Sequence, residues 1–416
     1  MTLHPMLAAL RRHKAGVVLI ALQIALTLAI VCNAIFIIGN RIERVQRPTG
    51  LAENDLFQIT QLWVGAPTGE DAASIDKLDA MLRSDVETLR NLPDVESAVA
   101  LNTMPLSNST WSTGVGLNPK QETSTAQSAY YFSSEQAIKT LGLHLVAGRN
   151  FTAEEIRSRA LRATTQPAVV IVTKALADKL FPDGNAVGKT VYYDGGTNPS
   201  TIVGVVERLQ IPSVASWSSN FTWYSTLVPS VLNANFSRYA VRAKPGRLDA
   251  AMSAARRALF AANPMRVIDE DRGIRSFAQI RAEAYRSDRG MAILMGVICL
   301  ILLAVTGAGI VGLTSFWVGQ RHKQIGVRRA LGARKLDILR YFQTENLMIA
   351  GGGAFVGIAL AIGLNLWLMS RFEMERIPVL YVLFGVGVVL LLGQLAVFAP
   401  ARRAANVPPV VATRSV

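Results

Sequence analysis

The chain has 416 residues and a mean hydropathy of +0.30, with 50% hydrophobic and only 17% charged side chains. Soluble domains carry about 25% charged residues, so this balance argues for a membrane protein and excludes a disordered chain. Two cysteines, Cys32 and Cys299, both inside apolar runs, exclude a disulfide scaffold. The net charge of +14 has to be placed along the chain before it can be read as a nucleic-acid, lipid or topology signal.

The first element is an uncharged run at 17–38, behind Arg11, Arg12 and Lys14. At 22 residues it exceeds the 7–15 of a signal-peptide core, and bulky Val31 before Cys32 suits a lipoprotein cleavage site poorly, so a retained anchor is expected. Residues 41–47 are polar and continue that helix. Ile75, Leu78, Leu82, Val86 and Leu89 keep helical spacing among charged residues. Asn91-Leu92-Pro93-Asp94 stops that helix, and 95–101 reads as a strand. Residues 102–128, rich in Ser, Thr, Asn and Pro, read as a loop or irregular insertion. A helix-like stretch at 134–141, a strand at 169–172, a helix at 174–180, strands at 191–193 and 201–206 and an amphipathic stretch at 248–260 follow. A charged helix, 277–289, leads into a second apolar run at 291–319. Two more runs occupy 346–369 and 378–400. Each run reaches the roughly 20 residues that span a bilayer core as a helix.

The basic residues collect on one side of these runs. The N-terminal flank carries +3, the loop 320–345 carries +5 and the tail 401–416 carries +3, whereas the hairpin 370–377 is neutral. With an even number of spans, this places both termini in the cytoplasm and the segment 39–290 outside. The expected order is therefore a cytoplasmic flank (1–16), helix (17–38), external α+β domain with helical stalk ends (39–290), helix (291–319), cytoplasmic coupling loop (320–345), helix (346–369), external hairpin (370–377), helix (378–400) and cytoplasmic tail (401–416). This is a membrane α-helical protein, one span plus three. The positive charge is then a topology signal, and nucleic acid is not an expected partner.

Catalytic signals are weak. Of the four histidines only His144 is expected outside, where no cysteine accompanies it, so no metal site is read. A Ser-His-Asp triad at His144 lacks any supporting motif, and a solvated loop histidine is expected. Gly188-Lys189-Thr190 ends like a phosphate-binding loop. However, Asp183 stands where the first glycine belongs, and Val191, Tyr192 and Tyr193 favour a strand over the required helix. No ATPase activity and no cofactor are expected in this chain. Four glycosylation sequons, at Asn108, Asn150, Asn220 and Asn235, read as chance.

The most informative stretch is the basic loop. Ile325, Ala330 and Leu331 form a small apolar face there, and Gly326 and Gly332 permit close approach or a turn. Composition alone also fits a linker lying on anionic lipid. The order Lys323-Gln324-Ile325-Gly326-Val327-Arg328-Arg329-Ala330-Leu331-Gly332-Ala333 closely resembles the loop after the second span in permeases of the MacB/FtsX family of ABC transporters. Pro400-Ala401-Arg402-Arg403-Ala404-Ala405, followed by Pro408-Pro409-Val410, is similar to that family's ending. Leu141-Gly142-Leu143 through Gly148-Arg149-Asn150-Phe151, Val170–Gly188 and Ile202–Val206 resemble pieces of its external domain.

The resemblance implies a coupling helix spanning Gln324 to Ala333 that docks on a separate cytoplasmic ABC ATPase dimer, where ATP and Mg would bind. It implies a second permease chain, the same or homologous, and mechanotransmission to the external domain that drives export or extraction of a substrate. Contact with membrane lipid and with a periplasmic adaptor belongs to the same expectation, as does the bacterial inner membrane. An FtsX-like regulator of an external partner, such as a cell-wall hydrolase, is the alternative. A membrane-anchored receptor is disfavoured by three packed spans and the coupling motif. Gln324 departs from the family's acidic residue.

Overall fold

A computed structural model describes residues 14–161, 163, 166–372 and 375–406. Residues 1–13 of the expected flank (1–16), residues 373–374 of the expected hairpin (370–377) and the expected tail beyond 406 lie outside these residues. In chain order the elements are α1 (Lys14–Gln46), β1 (Leu56–Trp63), α2 (Ala72–Arg90), β2 (Val95–Leu101), β3 (Ser112–Gly116), β4 (Ala126–Ser133), α3 (Ala137–Leu141), β5 (Leu145–Gly148), β6 (Arg157–Ala160), β7 (Val169–Thr173), α4 (Lys174–Leu180), β8 (Thr190–Tyr193), β9 (Ser200–Val206), β10 (Ser225–Asn233), β11 (Phe236–Ala243), α5 (Leu248–Ala262), β12 (Arg266–Val267), β13 (Ile274–Ser276), α6 (Phe277–Ala284), α7 (Arg286–Gln320), α8 (His322–Ala330), α9 (Lys335–Phe372) and α10 (Val379–Ala405). They divide into two compact units, 47–286 and the helices on either side of it.

Among the described residues, the helical unit holds four helices long and apolar enough to cross a membrane. In α1, Ile20, Ile24, Leu28, Cys32 and Phe36 recur every four residues and are buried. Small residues let its neighbours approach: a Cβ at Gly357 would lie 2.9 Å from Leu28, and one at Gly385 2.3 Å from Cys32 Sγ. Polar links stitch the bundle. The Thr27 and Thr306 hydroxyls lie 2.7 Å apart, and the Asn33 amide donates to Ala361 O at 3.1 Å. By contrast α7 turns Ile293, Leu294, Val297, Leu300, Ile301 and Val305 outward. Where α1 continues past its apolar run, Arg41 is ion-paired with Asp288 at the start of α7, and Arg44 stands 3.9 Å from the same carboxylate.

Within 47–286, β1, β11 and β2 run antiparallel, with β12 and β13 both pairing the far side of β1. One face of this layer carries Phe57, Ile59, Tyr239 and Val241, alternating with polar neighbours. These residues form a core with Leu78, Leu82, Val86 and Leu89 of α2 and Ala251, Ala255 and Leu259 of α5. Asp71 caps α2 by accepting from Ser74 N at 3.0 Å. In the other half, β4 pairs β3, β3 pairs β8, β8 pairs β9, β9 pairs β7, β7 pairs β10, and β10 returns to β4. The ring closes around Val115, Phe132, Val172, Val191, Ile202 and Val228. Closure removes exposed strand edges.

Two readings need correction. Residues 102–128 are not wholly loop: Ser112–Gly116 is β3, and β4 begins at Ala126, the two pairing Ser112 with Ala129 and Val115 with Ala126. The segment 277–289 is not one helix. It breaks at Tyr285, which is buried and whose hydroxyl accepts from Gln210 Nε2 at 3.1 Å.

Candidate functional site

The stretch singled out by sequence folds as a short helix set against the bundle. After α7, Arg321 starts α8, and the helix stops at Gly332, which adopts a left-handed φ of +95°. Gly332 N and Ala333 N bond back to Arg329 O and Arg328 O at 3.2 and 3.0 Å, satisfying carbonyls at the helix end. A side chain at 332 would meet no neighbour but would be strained by the backbone.

One face of α8 is committed inward. Ile325 is 5% exposed and packs in the cluster that holds Trp317, Ile338, Phe342 and Ala404; Gly326 is buried beside it. Arg329 donates to Ala405 O at 3.2 Å, at the C-terminal end of α10, where backbone carbonyls gather negative potential. The Arg328 guanidinium lies over the Tyr341 ring, 5.1 Å from its centroid. At the base of α8, Arg321 Nη1 donates to both oxygens of Glu345 at 3.0 and 2.8 Å. These side chains are 12% and 3% exposed, so the pair is largely desolvated and fixes α8 to α9.

The opposite face is open. Gln324, Val327 and Leu331, spaced three and four apart, are exposed, as is Ala330, and Leu331 is 83% exposed. Arg328 and Lys323 are exposed beside them, Gly332 is exposed and Ala333 is half-buried. This corrects the sequence reading on one point: Ile325 does not share a face with Ala330 and Leu331, and with Gly326 it anchors the helix. Val327 takes its place on the outward apolar face. The Arg321–Glu345 pair was not identified from sequence. A lone Glu at the start of an apolar span was the available signal, since a carboxylate near hydrocarbon needs a partner.

Other candidates are bland. His144 Nδ1 lies 3.6 Å from Glu207, with both side chains mostly exposed. Lys189 follows a turn at Gly188, precedes β8 and places its ammonium 5.2 Å from the Phe181 ring centroid. In the matched stretch around Gly148, φ is +75° and a Cβ would lie 2.2 Å from Val203 O, so only glycine fits there. Among the described residues no group of three His, Cys, Asp or Glu is placed to hold a metal ion.

Comparison with known proteins places the chain. The family model described as the MacB-like periplasmic core domain matches residues 18–259, more than half of the sequence. The chain belongs to the MacB/FtsX family of ABC transporter permeases. A second model, the FtsX-like permease C-terminal, matches residues 296–409 and so includes α8. The macrolide export ATP-binding/permease protein MacB of Chromobacterium violaceum is 28% identical over 66% of this chain and 41% of its own length. MacB 2 of Aeromonas hydrophila, with the same description, is 27% identical over 99% of this chain and 59% of its own length. The permease thus spans less than two thirds of these relatives. The crystal structure of the periplasmic region of MacB from Actinobacillus actinomycetemcomitans is 16% identical, covers 58% of this chain and 97% of its own, and has a TM-score of 0.35. The permease is a multi-pass membrane protein, with one helix, a large periplasmic-type α+β domain and then three helices.

Proposed function

We propose that this permease couples ATP hydrolysis in a cytoplasmic ABC ATPase to movement of its α+β domain, driving export or extraction of a substrate on the outer side of the membrane. The observation that carries this reading is the two-faced helix α8. Its inner face is fixed to the bundle by Ile325, Arg329 and the neighbouring Arg321–Glu345 pair. Its outer face presents Val327 and Leu331 to solvent among basic residues. A large aliphatic side chain left this open on a well-anchored helix suits a docking surface.

In the proposed mechanism an ATPase dimer seats on Val327, Ala330, Leu331 and Gly332, framed by Lys323, Gln324 and Arg328, while Arg329 stays on the anchored face. ATP and Mg act in that ATPase, not at residues described here. Displacement of α8 passes through Arg321–Glu345 and the Ile325 cluster into α9 and α10. Both termini and α8 lie on the cytoplasmic side, and a second permease chain, the same or homologous, completes the assembly. The relatives' names make macrolides a first substrate class to assay.

Leu331→Glu tests the docking. A charge there is desolvated on docking and clashes by volume, so ATPase co-purification and transport should be lost while membrane insertion persists. Wild-type co-purification and transport in that variant would overturn the assignment and leave a lipid-surface linker. For orientation, Arg334→Cys should be shielded from, and Asn198→Cys open to, an impermeant thiol reagent added to intact cells. The opposite labelling would reverse the topology.

A further inference from the structure

The sheet face turned away from α2 and α5 carries a feature that the coupling mechanism does not use. Register pairs Gln58 with Arg275 across β1 and β13, and Thr60 with Arg238 across β1 and β11. Opposed residues in antiparallel strands share a face, so two arginines and a glutamine converge there. They line an open cavity of about 220 Å³ together with Ser107, Asp269 and Arg272.

The charges in this cavity are unbalanced. Arg238 is half-buried and donates to neutral oxygens only, Asn102 O at 2.6 Å and Ser109 Oγ at 3.0 Å. Among the described residues no carboxylate lies within ion-pairing distance of it. Burial, and then the neighbouring Arg275, lower the basicity of its guanidinium. Arg275 and Arg272 share one carboxylate, Glu283, at 2.5 and 3.8 Å. The single lining carboxylate, Asp269, accepts from the backbone of Asp271 at 3.0 Å and of Arg272 at 2.6 Å, and those bonds, then the Arg272 and Arg256 charges, hold its carboxyl below the usual range. Asp269 and Glu283 together still leave Arg238, Arg272 and Arg275 one negative charge short. Like charges gathered at a half-buried cleft oppose one another unless an anion joins them.

Gln58 supplies an independent sign. It is 3% exposed, its Nε2 donates to Thr60 Oγ1 at 2.8 Å, and its Oε1 has no partner among the described residues. A buried amide half left unmade is costly. Gln58 lines the cavity, and turning its amide over lets the Thr60 hydroxyl donate to Oε1 and makes Nε2 the group that lacks a partner.

We propose that this cavity is a binding subsite for an oxyanion, a phosphate or carboxylate group carried by a ligand of the α+β domain. Guanidinium forks from Arg238, Arg272 and Arg275 match the oxygens of either group, and the Ser107 hydroxyl and Gln58 amide add neutral donors. The subsite belongs wholly to the unit 47–286 and holds whether or not the coupling reading does.

The test uses the full chain in detergent micelles, with thermal unfolding followed at constant ionic strength set by sodium chloride. Inorganic pyrophosphate is the phosphate probe and citrate the carboxylate probe. A saturable rise in Tm is expected with at least one, and the better probe names the group. Arg238→Gln should weaken that binding about tenfold, as loss of one charge-assisted hydrogen bond does. Arg272→Gln alters a mostly exposed side chain that keeps the fold intact, and it should weaken binding similarly even if Arg238→Gln fails to fold. Absence of a saturable rise with both anions, or an equal rise in the wild type and in Arg272→Gln, overturns the subsite.

Discussion

Replacing Glu345 with alanine leaves Arg321 charged, largely buried and without its carboxylate. The two groups meet at 3.0 and 2.8 Å, with Glu345 3% exposed. Two unit charges about 4 Å apart interact by about 4 kcal/mol at an effective dielectric constant near 20. Measured losses on breaking buried pairs run at about 3–5 kcal/mol, much of it the cost of the orphaned charge. Arg321 is 12% exposed, which lets water recover part of that loss. We therefore expect Glu345→Ala to destabilise the bundle by about 3 kcal/mol. Arg321→Met should cost a comparable amount. The double variant Arg321→Met/Glu345→Ala should cost far less than the sum, because no charge is then stranded.

The assay is a double-substitution cycle on the full chain in micelles, followed by denaturant unfolding. Transport per ATP hydrolysed is measured in parallel with the ATPase present. Because Arg321 starts α8 and Glu345 belongs to α9, the double variant should regain stability yet couple poorly, its helix having lost its ion pair to α9 and keeping the Ile325 packing and the Arg329 bond to Ala405 O. Additivity of the two single substitutions within about 0.5 kcal/mol would refute the pair as an energetic unit. Full coupling in Glu345→Ala would refute it as the link between α8 and the spans.

Three further outcomes follow from the α+β domain. Asp85→Ala should destabilise it by about 3–5 kcal/mol, measured by unfolding. Asp85 receives both arms of Arg266 at 2.9 Å, as well as Tyr239 and Gln61, and Arg266 would remain buried without an anion. The pH profile has a sign. Hydrogen bonding to Arg149 holds the Glu155 carboxyl down at about 2. Its contribution is complete above the ordinary carboxylate range and is lost as pH falls through about 2. Glu155→Gln should thus flatten the acid limb of the stability curve, and an unchanged limb would discount the pair. Lys189→Ala removes only a cation–ring contact with Phe181, so ATPase activity of the assembled complex should stay within twofold, a change of under about 0.5 kcal/mol.

Elements whose burial shows locally were legible. The stripe Leu78, Leu82, Val86 and Leu89 faces the core of its layer, and the expected strand at 95–101 and helix at 174–180 coincide with β2 and α4. β1, β10 and β11 gave no such signal. β1 buries Gln58 and Gln61 among its apolar residues, and β10 contains Pro229 together with buried Ser225, Thr226 and Ser230. Polar residues inside a strand erase its apolar pattern unless their partners are known. Those partners lie far along the chain: Gln61 accepts from Arg266, 205 residues away, and Thr226 meets Ser128 across 98. The same cause hid β3 within 102–128, where Ser112, Thr113 and Gly114 look like turn chemistry until β4 pairs with them.

The coupling helix repeats this division. A helix there was expected from the family resemblance alone; the residues themselves offered Gly326 and Gly332 equally as sites of close approach or a turn, and only Gly332 takes a positive φ. Which face the helix shows was not readable, because Ile325 and Leu331 are equally apolar and only the surrounding helices distinguish them. Ile338, Phe342 and Ala404 claim Ile325, and the turn at Gly332 swings Leu331 clear. A helix held this firmly by one side can transmit a push received on the other. In the proposed coupling, the burial of Ile325 ties the helix to α9 and α10, and the exposure of Leu331 leaves it for the partner.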